Sequence, residues 1–330
     1  MLHQSITPAV RARWLGGLVF LALLLLPLAA WLFDDPYLLS LFSRIMIYAL
    51  AAVSLDLVLG YAGLVSLGHA AFIGIGAYSV GILAFHLQEG STLFGLPGTN
   101  QAWLSLPLAI ACSACIAGII GALSLRTRGV YFIMITLAFA QMLYYLFVSL
   151  EAYGGDDGLS LWGRNELPFI DLGSDLQFYY LCFVTLVLFI GLSHRLVHSR
   201  FGRVIRGSRE NALRMEALGF PTLLYQWLIF TLSGAGAGLA GALLANQNEF
   251  VSPALLHWTQ SGEILVMVLL GGMGTLVGPV LGAAALLLME EWLAALTEHW
   301  MVLLGPFLII VVLFARRGLY GLITGRDEDG

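Results

Sequence analysis

Several short stretches of this chain carry residue types that perform chemistry in other settings. Cys112-Ser-Ala-Cys115 has the spacing of a dithiol or of half a zinc site, but no second ligand pair accompanies it and it sits in an apolar run. Cys182 lies in another such run; free cysteines there behave as small buried hydrophobes, and no metal is expected. Gly236, Gly238 and Gly241 match the glycine spacing of dinucleotide loops, a pattern that works only between a strand and a helix start. Gly154-Gly-Asp-Asp-Gly158 looks like a fragment of a calcium loop without the alternating ligands and closing Glu that such a loop needs. All 15 basic residues are Arg and none is Lys. That removes a Walker A lysine, a Schiff base and a Ser–Lys dyad, so the chain has no P-loop with which to hydrolyse ATP. No HExxH or GxSxG enzyme motif occurs.

The elements that would hold any such residues are membrane spans. The chain is 59% hydrophobic and 11% charged, with a mean hydropathy of +0.90, whereas soluble domains carry about 25% charged residues. A helix crosses the bilayer with about 20 apolar residues. The first run, residues 14–33, is longer than the core of a signal peptide and reads as a retained helix. Further runs lie at about 38–59, 64–87, 102–125, 130–150, 178–197, 223–245, 262–273, 276–293 and 300–315. The expected class is an all-α polytopic membrane protein with about ten transmembrane helices, a single domain over 1–330. Positive residues favour the cytoplasmic side. With both termini cytoplasmic, ten crossings place Arg11, Arg13, Arg126, Arg128, Arg195, Arg200, Arg203, Arg206, Arg209, Arg214, Arg316, Arg317 and Arg326 inside. The outer segments, above all the loop 151–177, gather acids instead.

Glycine contributes 38 residues. Gly234/Gly238 and Gly274/Gly278/Gly282 have the four-residue spacing that lets membrane helices approach closely. Two glycine-rich segments, Gly60–Phe72 and Gly271–Pro279, separate spans with almost no polar loop. They are either tight turns or broken helices, and irregular backbone at membrane depth is tolerated where protein buries it or it lines a water-filled path. Ser66, His69, Thr136, Gln141, Gly272 and Gly274 are the candidate path residues. His69 is alternatively a structural histidine bonded to a carbonyl. Asp56 is rare enough inside a span to be functional, or it pairs with a neighbouring helix or with Arg126/Arg128. Glu263 is expected at the outer interface.

Residues 198–222 form a basic segment ending in Gly219 and Pro221, a helix stop. Arg209–Leu218 predicts a short amphipathic helix lying on the cytoplasmic face. Arg203-Val-Ile-Arg-Gly-Ser-Arg-Glu-Asn-Ala-Leu-Arg-Met-Glu-Ala-Leu-Gly219 resembles the coupling segment of permease subunits in branched-chain amino-acid ABC importers. Gly63–Tyr78, Arg128–Gln141 and Gly154–Leu159 are similar to the same family, and the last two point to its LivM-type subunit. The resemblance spans residues 40–322.

That resemblance implies a vitamin B12 importer-like (type II) fold and no cofactor on this chain. ATP and Mg would be held by two partner ATPase subunits. A second permease of LivH type and a periplasmic amino-acid-binding protein would complete the assembly in the bacterial inner membrane, with lipid and without nucleic acid. Arg206, Arg209, Glu210, Asn211, Leu213, Arg214, Met215, Glu216 and Gly219 would engage the ATPase, with Leu213 and Met215 as the apolar knob. Asp156, Asp157 and Trp162 would meet the binding protein. Relatives in the family carry urea, short amides or aromatic acids, and a self-standing channel or ion-coupled transporter is the rival class.

Overall fold

The computed structural model describes residues 8–33, 37–93, 96–168, 170–297 and 318–324, with a few isolated positions between the last two. The helices are α1 (Pro8–Phe33), α2 (Tyr37–Asp56), α3 (His69–Gln88), α4 (Ala102–Ser124), α5 (Val130–Ser149) and α6 (Asp175–His198), followed by α7 (Arg200–Ala217), α8 (Thr222–Asn248), α9 (Trp258–Gly271), α10 (Gly278–Leu296) and α11 (Gly318–Thr324). A π-helical turn, Leu57–Tyr61, extends α2. The strands are two-residue ribbons, β1 (Thr92–Leu93) with β2 (Leu96–Pro97) and β3 (Leu159–Ser160) with β4 (Phe250–Val251), both antiparallel.

Apolar residues surround α3, α4 and α5 on every side, as befits helices in lipid or deep in a bundle. Among the described residues, seven helices are long and apolar enough to cross a membrane. The expected count of ten is met only in part, for identifiable reasons. The described apolar stretch of α1 is the shorter Leu15–Ala30, α9 has 14 residues, and the run at 300–315 lies almost wholly outside the described residues. The third span begins at His69 rather than near residue 64, because residues 62–68 are not helical.

Helix α8 is the axis of the bundle, packed against α3, α4 and α2. Its glycines account for the closeness. A side chain at Gly238 would run into Ser113 of α4, and one at Gly76 of α3 would meet the Gly238 carbonyl. Gly236, Gly238 and Gly241 therefore lie inside a helix as packing surfaces, with no strand before them. Gly282 of α10 makes the same kind of approach to the Met267 carbonyl of α9. Cys112, Cys115 and Cys182 are free thiols within α4 and α6.

At the end of the bundle opposite α7, residues 151–177 fold onto the top of α8. Gly154, Gly155 and Gly158 take positive φ, which closes a tight loop before β3. Beyond that strand, Arg164 anchors the rest of the segment. Its guanidinium contacts Asp175 at 2.7 Å, donates to the Leu172 carbonyl at 3.1 Å and stacks 4.7 Å from the Phe178 ring. Beside it, Asn246 accepts the Asn165 amide at 2.7 Å. The acids Asp156 and Asp157 stay exposed, and Trp162 is 88% exposed. Replacing Arg164 with Ala removes a charged hydrogen bond and a ring contact at once. It should lower unfolding stability by about 2 kcal/mol, read as a reduced melting temperature in detergent.

Candidate functional site

The feature that organises the other end of the bundle is a pair of helix breaks. After Tyr61 the chain leaves the helix and does not resume it until His69. The His69 ring reaches Ser233 of α8 at 2.7 Å, and the Ser233 hydroxyl donates to the Ser54 carbonyl. Ser54 precedes Tyr61 by 61 − 54 = 7 residues, roughly 10 Å of helix at 1.5 Å per residue. Residues 62–68 therefore climb back into the bundle as irregular chain before α3 sets off.

Backbone amides freed at that depth need acceptors, and three of them are met by side chains. Ser66 accepts the Gly68 amide at 3.2 Å. Thr136 of α5 accepts the Leu67 amide at 3.3 Å. Ser261 of α9 accepts the Ala70 amide at 2.8 Å. Ser66, His69, Thr136 and Ser261 are fully buried.

The second break, 272–277, separates α9 from α10 and is held by Asp56. Its Oδ1 accepts the Gly274 amide at 2.8 Å, while Oδ2 has no hydrogen-bond partner among the described residues. Gly60 fits there because a side chain would strike the Asp56 carboxylate and the Gly274 amide. The two breaks thus meet, Gly60 against Gly274. Asp56 pairs with this neighbouring backbone rather than with Arg126 or Arg128; the Arg128 guanidinium lies 3.8 Å from Glu216 instead. Gly272 and Gly274 take positive φ, 114° and 73°, and Thr275 donates to the Gly272 carbonyl.

Helix α7 starts nine residues before the expected Arg209 and is divided at Asn211, whose φ of −156° and ψ of 96° interrupt it. The Asn211 side chain accepts the Arg214 amide at 2.9 Å, so this residue is the N-cap of a second short helix. Gly219, at φ 88°, ends that helix, and the Phe220 amide returns to the Met215 carbonyl. The result is a helical hairpin rather than one continuous amphipathic rod. Met215 folds inward against Gly207, whereas Leu213 and Leu218 are 71% and 67% exposed. Met215 is half-buried there, while Leu218 is exposed as Leu213 is.

The charged residues Arg206, Arg209, Glu210 and Arg214 are all exposed, and two of them also bond back to the bundle. Arg206 donates to the Val197 carbonyl at 3.2 Å. Arg209 donates to the Gly60 carbonyl and lies within electrostatic reach of Asp56. Glu216 accepts from Thr222 at 2.6 Å, tying the hairpin to the start of α8.

The model of the family described as branched-chain amino acid transport system, permease component, matches residues 37–313. The chain belongs to that family. It is 27% identical over 96% of its length to the high-affinity branched-chain amino acid transport system permease protein LivM of Salmonella typhimurium, covering 78% of that protein. It is 28% identical to LivM of Escherichia coli over the same shares. A probable LivH of Methanocaldococcus jannaschii is 30% identical, over 44% of this chain and 47% of that protein. The subunit type is therefore LivM, and the protein is a multi-pass membrane transport permease rather than an enzyme. No solved structure matches. The family match begins at α2, so both breaks, Asp56 and the α7 hairpin fall inside it.

Some residues of this site had no signal in the sequence beyond a hydroxyl in an apolar run, namely Ser233 and Ser261. A second polar group, nearer the opposite end, was also not foreseen. Arg44 sits 5.8 Å from the Tyr48 ring, Tyr48 donates to Gln260 at 3.4 Å, and Gln260 donates to Glu263 at 3.2 Å. Gln141 keeps a buried Nε2 without a partner among the described residues. Substituting Ser261 with Ala leaves the Ala70 amide buried and unpaired. The expected loss is about 1–3 kcal/mol, measurable by denaturant titration of the purified protein, while Ser261→Thr retains the acceptor and most of the stability.

Proposed function

We propose that this permease is the LivM-type subunit of an ATP-binding-cassette importer for branched-chain or related amino acids in a bacterial inner membrane. The observation that carries the reading is the α7 hairpin. It is a charged, amphipathic element at one end of an otherwise apolar bundle, and it offers Leu213, Arg214 and Leu218 to solvent. An exposed apolar pair rimmed by charge suits a partner groove better than water. The partner is an ATPase, two copies of which hold the ATP and Mg that this lysine-free chain has no P-loop to bind. Closure of the nucleotide-bound dimer moves the hairpin, and α6 and α8, which flank it in sequence, tilt. The switch needs contacts that differ between the inward- and outward-facing states.

The remaining parts belong to the same assembly. A LivH-type permease pairs with this chain, and a periplasmic binding protein meets Trp162 with Asp156 and Asp157 on the loop 151–177. Both termini are cytoplasmic. Adding α1, α9 and the run at 300–315 to the seven spans gives 7 + 3 = 10 crossings, in a vitamin B12 importer-like arrangement. The amino acid passes the glycine-rich breaks, where Ser66, Thr136, Gly272 and Gly274 support the backbone. Gln141 has a donor to spare.

Co-purification tests the reading. The wild-type permease pair should retain its ATPase subunits, and the combined change Leu213→Asp with Leu218→Asp should release them while membrane insertion persists. Retention of the ATPase by the double variant, or failure of the wild-type pair to hold any ATPase, would overturn it.

A further inference from the structure

Arg209 is exposed on α7, yet its guanidinium also reaches the bundle, donating to the Gly60 carbonyl in the π-helical turn that leads into the first break. Its stem covers Gly63, where the backbone is left-handed (φ 70°) and an added Cβ would lie 2.9 Å from Arg209 Cγ. The same guanidinium comes close to Gly274 in the second break, whose amide is held by Asp56. One cation from α7 therefore bonds at the first interruption of the helical bundle and approaches the second, and the buried Asp56 carboxylate holds the second.

Broken helices are where a bundle can bend, because residues there lack the i→i−4 ladder that stiffens the rest. Met215 of the second half of α7 packs on Gly207 of its first, which links the two halves across Asn211. Displacement of the exposed tip must accordingly shift Arg209. We propose that Arg209 is the positioning residue that carries movement of the hairpin to the two helix breaks, with Asp56 holding the second break against the first. This rests on the importer reading above and adds a route that does not run through the chain connections to α6 and α8. Arg206 bonds instead to Val197 of α6.

The test uses the complete transporter, with its partner permease, ATPases and binding protein, in proteoliposomes with radiolabelled leucine. The quantity read is leucine imported per ATP hydrolysed, alongside the ATPase retained on co-purification. Arg209→Ala should keep its ATPase yet lower that ratio about tenfold, the scale expected for losing a hydrogen bond to a charged group. Arg209→Lys retains a cation and a donor and should recover part of the loss. Asp56→Ala removes the acceptor of the Gly274 amide and should lower the ratio several-fold. A wild-type ratio in assembled Arg209→Ala overturns the proposal and leaves the importer reading intact. Should Arg209→Ala fail to assemble, a wild-type ratio in Asp56→Ala overturns it equally. If the wild-type permeases capture no ATPase, it is the importer reading that falls.

Discussion

A backbone amide released from a helix inside an apolar bundle has to find an acceptor there, and this requirement shapes the protein more than any other. The turns at 62–68 and 272–277 are partly buried, and at their buried amides side chains act as acceptors. Ser66, Thr136 and Ser261 serve the first break, from the chain itself and from two other helices. Asp56 serves the second. Each acceptor fixes a distance between elements, and together they hold α2, α3, α5, α9 and the start of α10 in one arrangement.

Close helix approach has a different source. Around α8 the glycines bring backbone against backbone or against Ser113, so that van der Waals packing and short hydrogen bonds replace the hydrophobic effect, which drives little association in lipid. The tightly packed α3–α4–α8 group lies beside the irregular segments. A rigid block next to two ladder-free turns is a suitable frame for motion, because bending concentrates where the ladder is missing.

The features legible in the chain beforehand were those that depend on local composition. The apolar runs located nine of the helices, and the glycine spacings identified the surfaces of α8 and α10. The Arg-rich stretch 198–222 marked the one amphipathic element. Less legible was anything set by a single residue's side-chain direction. Asn211 has no hydrophobic signature, yet its cap divides α7, turns Met215 inward and leaves Leu218 exposed. Arg209 lies on the exposed face, as its periodicity suggests, yet its guanidinium bonds a carbonyl 149 positions away. Asp56 was noticeable as a charge in a span, whereas its partner, a glycine amide, carries no residue-type signal at all.

The separation between Asp56 and Gly274 also bears on how the protein is made. They are 218 residues apart, and ribosomes add about 5–20 residues per second. Asp56 therefore enters the membrane roughly 10–40 s before its amide partner has been synthesised. A lone carboxylate in a span is costly, most of all near its centre, which favours keeping the end of α2, where Asp56 sits, at the wet boundary during that interval. The second span is among the first to be threaded into the bilayer, but its inner end is among the last to settle.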